Sequence, residues 1–226
     1  MAGCISVAIA QLIMTHLHPS SYNGYTFNWL EILNATPKGL DQAARLLQQL
    51  GLPQNLNVAY GLAADGGSGV NNPDRIKKTF NNFGYICNDL KSYNSTEIIQ
   101  ELTAGYPCIM SGYCFEIKKK ILGITWDVYH KGAHEWLIHG LLTRKRLRTE
   151  YGFYGSLISS YYEGHEHYFL CNMGESSTSS NGYYLAGVFD TDAGPVFTRS
   201  EDDPITSGED GNYQYKLRMT TGIRKQ

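Results

Sequence analysis

Charge is scarce in this sequence. Only 18% of residues are charged, and 19 Lys and Arg against 21 Asp and Glu leave a net charge of −2, so no long-range field exists to draw in nucleic acid or an anionic membrane surface. The basic run TRKRLR (Thr143 to Arg148) reads as a solvated strand or loop. Long hydrophobic runs are missing too, and none reaches the length that spans a bilayer. The five cysteines include no Cys-x-x-Cys pair and are odd in number. That argues against a disulfide framework and against a structural zinc knuckle, and it predicts at least one free thiol. Met1-Ala2-Gly3 leaves no room for a signal peptide before Cys4. The start is expected to be that of a mature or recombinant piece lacking its N-terminal part.

What is plentiful is tyrosine and glycine, 17 and 24 residues, a balance that suits strands joined by tight, positive-φ corners. The chain is long enough for one substantial core, and residues 1–226 are expected to form one domain with two lobes. Periodicity predicts a first helix from Cys4 to about Thr15, apolar on every face and therefore central, stopped before Pro19. Further helices are predicted over Asp41 to Leu50, with Asp41 as N-cap and Gly51 as stop, over Asn72 to Phe83, and over Ser95 to Ala104. Beyond Tyr106 the pattern changes to short aromatic and β-branched runs, YPCIMSGY, HEWLIHGLL, HYFLCNMG, GYYLAGVFD and NYQYKLRMTTGI, which predict a bent antiparallel sheet. Helices over about 1–105 and strands over about 106–226 imply an α+β architecture. Polar stretches at Glu175 to Asn181 and Arg199 to Gly211 read as loops.

Cys4, at the mouth of a buried helix, has two readings. The unpaired N–H groups of a helix start stabilise an anion, which favours a reactive thiolate; cysteine is also a frequent core residue. A nucleophile would need a histidine in reach. His16 and His18 lie at the far end of the same helix, ~15 Å or more away at helical rise. His165 and His167 share a strand face without a matching acidic or cysteine ligand. His134 and His139 are five apart, a spacing that does not match the zinc helix His-Glu-x-x-His. His134, behind Gly132-Ala133 at the opening of a strand, is the remaining candidate base, with a structural histidine as the alternative.

Taken in order, GCISVAIAQLI, AYGLAADGGSGV, GAHEWLIHG, YFLCNMG and GYYLAGVFD resemble the streptopain-like cysteine peptidases of the C10 family over essentially the whole chain. The resemblance implies a papain-like fold, a helical lobe with a buried central helix beside a bent β lobe, and a secreted or cell-envelope bacterial thiol protease without cofactor or metal. By the same resemblance Cys4 is the nucleophile, His134 the base and Asn172 the residue that orients the imidazole, while Gly67, Ser68 and Gly69 are substrate contacts. Implied partners are a protein or peptide substrate and a pro-segment or inhibitor. Three departures accompany it: Asn172-Met173-Gly174 replaces a tryptophan-rich motif, the family's upstream oxyanion glutamine has no counterpart, and Phe115 to Lys131 reads as an insertion that covers the cleft or adjusts specificity. Cysteine endopeptidase is the leading expectation. A catalytically impaired relative that binds peptides or proteins is the alternative, ahead of a zinc hydrolase built on His134, His139, His165 and His167.

Overall fold

In the computed structural model, described over residues 2–61, 70, 72, 74–174, 180–197 and 211–226, helix α1 (Cys4–His16) begins at Gly3, whose φ of 78° suits glycine. Ile5, Ala8, Ile9, Leu12 and Ile13 are buried. Cys4, Val7 and Gln11 are only half-buried, so the helix is central but has one partly open flank. A tight hairpin, β1 (Ser21–Tyr22) and β2 (Tyr25–Thr26), turns at Asn23-Gly24, both at positive φ. Next comes α2 (Trp29–Leu33), capped by Asn28 and not foreseen from periodicity.

Helix α3 (Pro37–Gly51) starts four residues before the expected Asp41, because Thr36 accepts from Gly39 N–H and Pro37 occupies the first turn. Asp41 instead sits within the helix and pairs with Arg45 at 2.8 Å. Then follow α4 (Asp74–Asn82), β3 (Tyr85–Ile86), β4 (Lys91–Ser92) and α5 (Ser95–Thr103), whose cap is Asn94. His16 stacks on Tyr85 and His18 meets the same ring edge-on, which packs the C-terminal end of α1 against β3.

The strands that follow are β5 (Cys108–Ile121), β6 (Ile124–Tyr151), β7 (Leu157–Asn172), β8 (Gly182–Leu185), β9 (Phe189–Asp190), β10 (Asn212–Tyr213), β11 (Tyr215–Thr220) and β12 (Arg224–Lys225). Five of these, together with β4, form one antiparallel sheet in the order β4-β11-β5-β6-β7-β8. The architecture is α+β. Alternation along the strands sorts side chains into two cores. Ile109 and Leu137 join α1's Ile5, Ile9 and Leu12 on one face. Met110, Trp136, Ile138, Phe169, Phe189 and Met219 fill the other. Leu141 on β6 packs against this second core together with Ile99 and Leu102 of α5.

β6 is longer than the predicted run and carries a hairpin arm at each end. The segment read as an insertion, Phe115 to Lys131, is the outer part of the β5–β6 hairpin, paired from Phe115↔Lys131 to Ile121↔Ile124. The TRKRLR run lies exposed on the β6–β7 arm. None of the five cysteines is disulfide-bonded. Among the described residues no helix is long and apolar enough to cross a membrane. The loops expected at Glu175 to Asn181 and Arg199 to Gly211 fall largely outside the described residues.

Candidate functional site

Packing Ile5 and Ile9 of α1 against Ile109 and Leu137 fixes which face of β6 the helix start meets. Residues of the same parity as Leu137 face α1, so Glu135 does, and it meets the thiol: Cys4 Sγ donates to Glu135 Oε2 at 2.7 Å. Burial, then the Glu135 charge and hydrogen bond, push the Cys4 thiol far above its ordinary range. Burial likewise raises the Glu135 carboxyl, and the thiol's hydrogen bond only partly offsets it. Both groups resist ionisation, because either anion would sit in a poorly hydrated spot, and the thiolate would in addition lie against the Glu135 carboxyl group. The helix N-terminus favours an anion there by about 0.3–1 kcal/mol, which is too little to reverse this.

His134 has the opposite parity. Its half-buried ring stacks on Trp136, with centroids 6.2 Å apart, and on Tyr213 at 5.3 Å, two residues of the core on the far side of the sheet. Nε2 lies 2.7 Å from the Met173 carbonyl; since that oxygen can only accept, Nε2 carries the proton. The expected Cys4–His134 dyad is therefore not assembled: the two residues lie on opposite faces of β6, and the thiol's partner is the next residue along.

Asn172 is also placed differently from the expectation. It pairs with Leu137 across β6–β7 and so shares the α1 face. Its Oδ1 accepts from Gln11 Nε2 and from Gly174 N–H, each at 3.0 Å. Gly174 has φ of 72°, and a Cβ there would come within 2.9 Å of Val7 Cγ1. Asn172 thus ties the end of β7 to the middle of α1 rather than orienting His134. Gly67, Ser68 and Gly69 lie outside the described residues. Among the described residues no group of three or more His, Cys, Asp or Glu gathers as a metal site, and His165 and His167 sit on the β6–β7 arm.

Beside Glu135, the thiol's partner, lies a cavity of 80 Å³ walled by Ile5, Ile76, Leu90 and Ile109, with Glu135 and Arg218 also lining it. Register places Arg218, Ser111 and Glu135 side by side on β11, β5 and β6, a polar row just beyond the Ile109–Leu137 row that α1 covers. Glu135 and Arg218 were not among the residues singled out from sequence. The signal for Glu135 was present, since it shares parity with Leu137 while His134 shares parity with the bulky Trp136, but parity alone does not say which row α1 covers. Comparison with protein-family models and with curated proteins finds no match, so what the site does is read from its own geometry and from the motifs that surround it.

Proposed function

We propose that this chain is a peptide-binding domain of streptopain-like, papain-type ancestry whose cysteine-peptidase residues are present but not coupled as a catalytic pair. The carrying observation is the Cys4–Glu135 hydrogen bond. A thiol paired with a carboxyl group, both pushed toward their protonated forms, has no means of becoming a thiolate at neutral pH. What the arrangement retains is recognition chemistry. A sheet face flanked by a helix start, with a small cavity that has an apolar wall and a polar side, can take an extended peptide and one of its side chains.

A second reading, the Cys-His endopeptidase, draws support from one relationship. His134 directly precedes Glu135, and a shift of β6 by one residue exchanges which of the two faces the thiol. In that arrangement Cys4 would attack a peptide carbonyl, His134 would pass its proton to the leaving amine, and water would hydrolyse the thioacyl enzyme.

The two readings separate when short blocked peptides bearing aliphatic side chains are incubated with the protein. Binding is followed by fluorescence anisotropy, and the peptides are then examined by mass spectrometry. Saturable binding with intact peptide is expected. Cleavage that is lost in both Cys4→Ala and His134→Ala overturns the binding-domain reading in favour of the peptidase.

A further inference from the structure

We infer that the cavity beside Glu135 selects peptides in which an aliphatic side chain is followed by a carboxylate, with Arg218 as the group that recognises the carboxylate. The inference rests on the peptide-binding reading and adds the ligand's chemistry. Ile5, Ile76, Leu90 and Ile109 offer a guest no hydrogen bond, so the part that lies against them is apolar, while Ser111, Tyr113, Glu135 and Arg218 line the rest of the cavity. At 80 Å³ the space matches about five waters, or one branched aliphatic side chain, on the scale of about 15 Å³ per water.

The polar groups lie along one side. Glu135 is occupied by the thiol. Arg218 is exposed and lines the same cavity. Among the described residues it has no carboxylate partner, in contrast to Arg45, Arg148 and Arg224, which pair with Asp41, Glu163 and Glu101. Two strand spacings, about 10 Å, separate its backbone from that of Glu135. A ligand carboxylate can therefore reach the guanidinium without lying against the Glu135 carboxyl, while the aliphatic side chain two residues before it, on the same face of an extended peptide, fills the space between. A guanidinium presents parallel N–H donors in a fork that fits a carboxylate, and Ser111, in the middle of the row, supplies a hydroxyl toward the same ligand.

The test uses the whole chain and three N-terminally acetylated peptides that share a central leucine: one with aspartate two residues after it and an amidated C-terminus, one with asparagine there and an amidated C-terminus, and one with asparagine there and a free C-terminal carboxylate. The aspartate peptide is expected to bind roughly three- to tenfold more tightly than the asparagine peptide, the size of a charge-assisted contact at a partly solvated rim. The preference should weaken with salt, disappear in Arg218→Gln and partly return in Arg218→Lys. If the third peptide alone gains, the carboxylate recognised is the chain terminus. Equal binding of all three, unchanged by Arg218→Gln, overturns the inference and leaves peptide binding standing. Absence of binding by every peptide overturns both.

Discussion

Cys4 Sγ and Glu135 Oε2 stand 2.7 Å apart across the contact between the start of α1 and the middle of β6. The contact makes the carboxyl group, not an imidazole, the arbiter of the thiol's ionisation. Burial is the first cause of the raised thiol pKa and the Glu135 charge the second. Glu135→Gln therefore lowers the pKa partway and speeds alkylation of Cys4 at neutral pH by about tenfold for each unit recovered. Rates of iodoacetamide labelling, mapped by peptide mass, check this. A rate unchanged by the substitution contradicts the pairing.

Stability should follow the same carboxyl group. Below the ordinary carboxylate range Glu135 is protonated in the folded and unfolded chain alike. As pH rises through that range the unfolded chain ionises first, because burial holds the folded group's pKa higher, so folding loses stability until the raised value is passed. Glu135→Gln removes this loss. Urea denaturation should find the variant level with the parent in acid and ahead of it at neutral pH. A gap that closes as pH rises has the wrong sign for a buried acid.

Asn172 joins β7 to α1 through Gln11 and Gly174. Asn172→Ala should cost about 1–2 kcal/mol in stability while leaving the His134 ring protonated at Nε2, where it meets Met173. Imidazole nitrogen shifts by NMR read the tautomer directly. A change of tautomer in the variant would return Asn172 to the orienting role that the family resemblance implies.

Two substitutions test the scaffold. Leu12 is fully buried in the core shared by α1 and the sheet, so Leu12→Ala should cost about 2–5 kcal/mol. Thr36 caps α3 through Gly39 N–H at 3.0 Å, and Thr36→Ala should cost about 1 kcal/mol. Denaturant midpoints at constant m-value provide the comparison.

Local signals located most of the elements. Apolar residues on every face from Cys4 onward placed α1, Gly105 marked the end of α5, and aromatic alternation marked the strands. Thr36-Pro37 was a stronger start signal than Asp41, and it was missed because the apolar period becomes regular only later in α3. The site was less legible for a reason particular to strands. Alternation separates Glu135 from His134, but only the docking of Ile5 and Ile9 on Leu137, with Trp136 taken into the opposite core, decides which of the two meets the thiol. Arg218 depends on register across three strands, which no local pattern carries.

The pH dependence of Cys4 alkylation, measured on the parent chain and on His134→Ala, tests the central claim most directly. The account predicts slow labelling at pH 6 to 7, acceleration only on the alkaline side of an ordinary thiol, and superimposable profiles for the two proteins. Rapid, selective labelling of Cys4 at pH 6 that disappears in His134→Ala would contradict it.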